Sequence, residues 1–395
     1  MTGVAPGPWL RVCALLAAAG GVLAVVTGEA HLGAAHRAVA ALAAPPLAAM
    51  LAAAWLLHRR LVPAVLGSAA LFAAAAAFPG RWEHAAFAGL ALAALLVLVV
   101  QSLVGERPPR GAWRDYVTLT KPRIMSLLLV TGVCGMIAGA RGWPGTTTFA
   151  ALTVGLALAC GGASALNHVL DRDIDPLMGA RTKQRPVASG RVPTSRALEF
   201  GLALTALSFV LLASTVNLLT AALALAGNLF YVLVYTRWLK RTTPQNIVIG
   251  GAAGAVPPLV GWAAATGHVG LTAWILFAIV FVWTPPHFWA LALLIKDNYA
   301  NAKVPMLPVV RGERETARQI VLYSFALLAV TLLPWAVGGA GPAYVAAALG
   351  LGGAFVSLAE RLRRDLTPRR AALLFHYSLL YLALLFAALA LDLAL

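Results

Sequence analysis

Apolar runs of eighteen residues or more recur from one end of this chain to the other, and that recurrence decides the fold class. Each run is long enough to cross a bilayer as an α-helix. Membrane-crossing strands would be about ten residues long and strictly alternating. These runs are longer and uniformly apolar, so an all-α polytopic membrane protein is expected. The runs fall at about 10–28, 36–57, 61–78, 84–104, 124–141, 146–166, 197–215, 219–236, 246–265, 271–294, 318–338, 343–359 and 371–393. Composition agrees: of 395 residues 61% are hydrophobic and 11% charged, against about 25% charged in a soluble domain.

Lys plus Arg number 30 and Asp plus Glu 14, a formal net charge of +16. A soluble chain of that charge would suggest nucleic acid; the apolar content excludes it here. In a membrane protein the surplus belongs in cytoplasmic loops. One alternate set of loops carries Arg59 and Arg60, the stretch from Arg107 to Arg123, Arg172 to Arg196, Arg237 to Arg241, Lys296 to Arg314, and Arg361 to Arg370. The opposite set, at 142–145, 217, 266–270 and 339–342, is short and nearly uncharged. The basic set is therefore expected in the cytoplasm, with the N-terminus inside and the C-terminus outside. Residues 12–28 show no clear small-residue cleavage site and are expected to stay as a helix. Cys13, Cys134 and Cys160 lie inside apolar runs and have neither metal-ligand nor disulfide spacing.

The polar, Pro/Gly-rich stretch GERPPRGAW (105–113) divides the chain. Residues 1–110 read as a four-helix transmembrane bundle and 111–395 as a nine-helix unit. In the second unit the acids gather. NHVLDRDIDPLMGARTKQRPVASGRVP (167–193) holds Asp171, Asp173 and Asp175 where a span meets the cytoplasm. Asn167, Asp171 and Asp175 are spaced by four, which on a helix puts them on one face. Like charges at that spacing repel by a few tenths of a kcal/mol, so a cation should compensate. Mg2+ is suited to this, since it takes oxygen ligands from one or two carboxylates and from substrate phosphates. Arg172, Arg181, Lys183 and Arg185 follow and suit a diphosphate. A solvated loop whose acids pair with those bases is the plain alternative. YTRWLKRTTPQN (235–246) adds Arg237, Lys240 and Arg241. In WTPPHFWALALLIKDNYANAKVPMLP (283–308), Pro285 and Pro286 should bend or break the helix. His287 lies deep in an apolar run, where an ionisable group needs a reason. Chemistry thus collects on one side of an apolar bundle. That suits an amphiphile with a diphosphate head and an apolar tail, whose departing diphosphate is stabilised by metal and cations while an allylic cation is kept from water.

YVTLTKPRI (116–124), the acidic stretch at 165–193, YTRWLKRTTPQNIVIGGAAGAVPPLVGWAA (235–264) and WTPPHFWALALLIKDNYANAKVPMLPVV (283–310) resemble the UbiA superfamily of intramembrane prenyltransferases. Within it they look like the branch that farnesylates haem. The resemblance implies nine helices around a central cavity. It also implies Mg2+-dependent ionisation of farnesyl diphosphate, transfer of the farnesyl group to a vinyl group of haem b, and addition of water. It assigns Asn167, Asp171 and Asp175 to the first metal and diphosphate motif, Arg172, Arg185, Lys240 and Arg241 to its basic positions, and Asp297 to the second acidic motif. His287 falls at a position typical of the haem group and implies a contact with that substrate. The chain departs from the family at Asn298, where a second acid is common, which bears on the number of Mg2+ ions. Other acceptors (a quinone precursor, a chlorin, a lipid) are disfavoured by the third and fourth stretches. A haem transporter or scaffold does not explain the acids and bases on one face.

The N-terminal unit has its own pattern. HLGAAHRAVAAL (31–42) and WEHAAFAGLALAALL (82–96) weakly resemble a single four-helix half of haem A synthase, an enzyme that uses haem O and so a possible partner. His36 and His84 fall at similar depth on different spans, an arrangement able to ligate a haem b. A four-helix anchor with interfacial histidines is the plain alternative. The expected site is a bacterial inner membrane, with the active face toward the cytoplasm.

Overall fold

The computed structural model describes residues 112–394. The four spans expected at 10–104, and with them His36 and His84, lie outside the described residues. Nine described helices are long and apolar enough to cross a membrane. They are α1 (Pro122–Ala140), α2 (Thr146–Leu170), α3 (Thr194–Thr215), α4 (Leu218–Thr242), α5 (Asn246–Thr266), α6 (Leu271–Leu294), α7 (Gly312–Ala336), α8 (Pro342–Arg364) and α9 (Pro368–Ala394). The protein is an all-α, multi-pass membrane protein. Val154, Leu322, Phe325, Leu380 and Leu384 are exposed on the outside of the bundle, as fits helices whose solvent is lipid.

Each helix packs on the next, from α1 on α2 through to α8 on α9. α9 then returns to α1, so the bundle closes; α5 also packs on α1, and α6 on α9. Lipid gives no hydrophobic drive between helices, so close approach and polar stitches must hold them. Gly132 and Gly135 of α1 lie against Pro257 and Pro258 of α5, and a Cβ on Gly261 would overlap the carbonyl oxygen of Gly132. Stitches include Ser208 Oγ to Gly155 O (2.6 Å), Asn228 Nδ2 to Ala159 O (3.0 Å) and Asn217 Nδ2 to Ala263 O (2.9 Å).

The prolines at 285 and 286 do not break α6, which runs unbroken from Leu271 to Leu294; α5 likewise carries Pro257 and Pro258. All four are buried between neighbouring helices, which is the setting in which membrane helices tolerate proline.

Because the helices alternate in direction, the starts of α1, α3, α5, α7 and α9 share one end with the ends of α2, α4, α6 and α8. That end carries the basic clusters. Exposed Trp113 and Trp238 lie toward it and exposed Trp143, Trp274 and Trp335 toward the other, the positions of interfacial aromatic belts.

Candidate active site

The acids sit at the basic end, where α2 stops. The helix ends at Leu170 with Asp171 as its C-cap, one turn sooner than a single helix through Asp175 would require. The four-residue register survives anyway. Asp171 N donates to Asn167 O and Asp175 N to Asp171 O, each at 2.9 Å. Asn167, Asp171 and Asp175 are all buried.

Asn167 is the hub. Its Oδ1 accepts from Lys121 Nζ at 2.7 Å, and its Nδ2 donates to Asp171 Oδ2 at 2.8 Å and to Thr236 Oγ1 at 3.2 Å. It therefore ties the entry to α1, the end of α2 and the end of α4. Lys121 holds a left-handed backbone (φ 49°, ψ 59°) immediately before Pro122, a strained conformation for a residue with a Cβ. Burial, then the Arg185 charge, brings the Lys121 ammonium down to about 7, against the opposing pull of Asp171.

Cations neutralise the acids directly. Lys240 Nζ donates to Asp171 Oδ2 at 2.6 Å and Arg185 to Asp175 Oδ1 at 2.6 Å. Arg241 grips both oxygens of Asp173 at 2.6 and 2.7 Å, and also reaches Leu170 O. The Arg241 hydrogen bond holds the Asp173 carboxyl down at about 2. Burial pushes the Asp175 carboxyl up, opposed by Arg185. Each buried carboxylate keeps one oxygen without a hydrogen-bond partner: Asp171 Oδ1 and Asp175 Oδ2. Three cations thus pair with three carboxylates, and Lys121, bonded to a neutral amide, supplies a fourth positive charge when protonated. The site has spare positive charge and spare hard oxygen ligands, the complement of a metal-bound phosphate.

Lys240 and Arg241 reach this cluster because α4 does not end where its apolar run ends. Phe230–Leu239 is a π-helix, a form that concentrates at functional sites. It stacks Tyr231 on Tyr235 at 5.4 Å, and it carries the chain on to Lys240 beside the acids. Tyr231 lies within electrostatic reach of Asp171, Asp175 and Arg185.

The remaining expected residues are placed differently. Arg172 is exposed and donates to Val169 O at 2.9 Å. Arg181 and Lys183 are exposed on the short helix Ala180–Lys183. Asp297 is exposed, whereas its neighbour Asn298 is half-buried against Gly179, just past the acidic turn. Among the described residues no three His, Cys, Asp or Glu side chains form a ready-made metal cage. His287 stands on α6, half-buried, with Nδ1 on Ser378 Oγ at 2.6 Å. Sequence reading missed Lys121, Tyr231, Tyr235 and Thr236. The Lys-Pro pair at the head of α1 was a signal for the first. It also missed His168, buried beside Asn167 with neither ring nitrogen bonded.

A closed helical bundle with a cationic, carboxylate-lined mouth defines the class, and the chain belongs to the UbiA prenyltransferase family, whose sequence signature matches residues 128–390. Among curated relatives, the protoheme IX farnesyltransferase 1 of Pseudomonas fluorescens is 52% identical over 290 residues, covering 73% of this chain and 97% of the relative. The protoheme IX farnesyltransferase of Symbiobacterium thermophilum is 54% identical over 281 residues, 71% of this chain and 94% of the relative. That of Thermus thermophilus is 52% identical over 292 residues, 73% of this chain, which spans only 48% of that relative's length. Two solved structures share the fold. A digeranylgeranylglyceryl phosphate synthase aligns at TM-score 0.60 and 16% identity, covering 71% of this chain and 98% of its own. A UbiA homologue from Archaeoglobus fulgidus bound to GPP and Mg2+ aligns at 0.52 and 16%, covering 70% and 99%.

Proposed function

We propose that this chain transfers the farnesyl group of farnesyl diphosphate to a vinyl group of haem b, releasing diphosphate and forming haem O. The relatives' names supply the acceptor. The observation that carries the site is the pair of free buried oxygens, Asp171 Oδ1 and Asp175 Oδ2, inside a ring of Lys121, Arg185, Lys240 and Arg241 at the mouth of an apolar bundle.

Those two oxygens fit a Mg2+ ion, which ordinarily uses one or two carboxylates plus substrate phosphates. Asp171 and Asp175 would hold it, with Asp297 of the second acidic motif, exposed in this structure, as a further ligand, and it would neutralise charge on the departing diphosphate. Arg185, Lys240, Arg241 and Lys121 bind the diphosphate oxygens, and Arg172, Arg181 and Lys183 form the outer, exposed part of the cationic approach. Asn167 fixes Asp171 and Lys121 in register. The carbon–oxygen bond of the farnesyl ester breaks, and its electron pair leaves with the diphosphate. The allylic cation lies toward Tyr231 and Tyr235, whose faces stabilise positive charge. The apolar bundle keeps water away. The vinyl group attacks the cation, and water then adds to the porphyrin-side carbocation with loss of a proton. His287 on α6 is the residue that contacts the haem acceptor.

The basic end faces the cytoplasm of a bacterial cell with the protein in the inner membrane. Residues 1–110 form a separate four-helix unit in which His36 and His84 bind a haem b, and haem A synthase is the partner that consumes the product.

The test is incubation of the full chain with haem b, farnesyl diphosphate and Mg2+, with products read by mass. Asp171→Ala and Asp175→Ala each lower haem O formation by at least about a hundredfold. Full activity in both variants would sink the metal and diphosphate assignment.

A further inference from the structure

His287 is clamped by its neighbours on α6 and α9. Its ring stacks on Trp283 at 4.3 Å and on Phe375 at 4.9 Å, with interplanar angles of 14° and 22°. Both faces are covered and the residue is half-buried; with Nδ1 taken by Ser378, Nε2 is the ring nitrogen with no hydrogen bond among the described residues. Trp283 Nε1 donates to Ser378 O at 2.9 Å, which pins α6 to α9 at the same level.

The hydrogen bonds fix the tautomer. Ser378 Oγ lies 2.6 Å from His287 Nδ1 and 2.6 Å from Phe375 O. Two contacts this short need two protons. The carbonyl has none and the hydroxyl has one. The second must be on His287 Nδ1. Ser378 therefore donates to Phe375 O and accepts from His287. No carboxylate pairs with the imidazole among the described residues, and an unpaired charge in an apolar span is disfavoured. The ring is neutral and Nε2 is a bare lone pair.

A histidine that donates its other ring N–H to a fixed oxygen is the usual arrangement of a metal-ligating histidine. We propose that His287 Nε2 is the axial ligand of the iron of the acceptor macrocycle, and that Ser378 is the positioning residue that holds the imidazole in the ligating tautomer. This rests on the reading of haem as the acceptor. Coordination seats the macrocycle by its metal, with the Trp283 and Phe375 clamp setting the direction of the iron–nitrogen bond. The consequence is selectivity: the site distinguishes an iron porphyrin from the same porphyrin without iron.

The experiment uses the full chain with His36→Ala and His84→Ala, which removes the N-terminal histidine pair proposed above. Ferrous haem b is added, and the iron–histidine stretch is read by resonance Raman alongside binding of haem b and of metal-free protoporphyrin IX. The expected result is an iron–histidine signal and a preference for haem b of about tenfold to a hundredfold. His287→Gln loses both, and imidazole added to His287→Gly restores the signal. Ser378→Ala keeps ligation but weakens haem binding, leaving metal-free porphyrin unaffected. An unchanged signal and unchanged preference in His287→Gln overturns the proposal. So does a variant that binds haem b as before and loses only turnover, which would make the ring a proton acceptor instead. Farnesyl transfer is assayed on the same preparations. Loss of the Raman signal in His287→Gln, with no farnesylated product from the parent, would refute the transfer reading and leave the ligation intact.

Discussion

Lys240 and Asp171 are both buried, and each depends on the other. Removing one partner of a buried pair leaves a stranded charge and costs about 3–5 kcal/mol, whereas removing both is often close to neutral. Lys240→Met and Asp171→Ala are therefore each expected to lower the thermal unfolding temperature in detergent as well as activity. The double variant Asp171→Asn with Lys240→Met should recover the unfolding temperature and stay inactive, separating the structural role from the chemical one. Lys121 gives a pH dependence. Its native ammonium titrates at about 7 against an ordinary 10.5, lowered chiefly by burial. Between those values the unfolded chain holds the proton that the folded chain has lost, so this group makes stability rise with pH across that window. Diphosphate favours the charged form, so at pH 8 its binding should draw in a proton. Calorimetry in buffers of different ionisation enthalpy measures that uptake, and Lys121→Met should abolish it. Asn167, Asp171 and Asp175 were legible as a unit because their spacing is a local property. Lys121 was not, because its role depends on a left-handed turn that brings it to a residue 46 positions away.

Gly261 on α5 faces the carbonyl of Gly132 on α1 with no room for a methyl group. Gly261→Ala must push the two helices apart, and overpacking of this kind typically costs about 1–3 kcal/mol. Gly254, on the same helix, has open space around its Cβ position; Gly254→Ala should leave the unfolding temperature unchanged or slightly raised. Equal losses from both substitutions would contradict a tight α1–α5 crossing. Apolar runs located the spans well, and α6 coincides with the expected 271–294. The crossing was illegible, because interleaved glycines mean nothing until the helices are paired. The two largest boundary shifts have one reason: charged residues that suggest a loop can continue a helix past its apolar run. α7 starts at Gly312, earlier than expected, because its first turns carry Glu313, Arg314, Glu315 and Arg318 while burying Thr316, Ala317 and Ile320. α4 continues to Thr242 through a π-helix, and that continuation takes Lys240 into the site.

At the scale of the whole molecule, charge and matched length each lead to a test. With the basic end in the cytoplasm, Ser189→Cys on that end should be closed to a membrane-impermeant thiol reagent in intact cells. His268→Cys, exposed at the opposite end, should be labelled; the reverse pattern would invert the orientation. Length separates the proposed transfer unit from the rest of the chain. The Pseudomonas relative is matched over 97% of its own chain by only 73% of this one, and every side chain of the acidic site falls within residues 121–299. Residues 1–110 lie outside the family match at 128–390, and their histidines can be tested independently of the proposed transfer chemistry. A chain of residues 111–395 should still convert haem b and farnesyl diphosphate to haem O. It should lack any bis-histidine haem spectrum that the full chain shows, and His36→Ala with His84→Ala should remove the same spectrum without touching product formation. If truncation abolishes transfer while the two histidine substitutions do not, the N-terminal unit supports the fold of the bundle rather than handling haem.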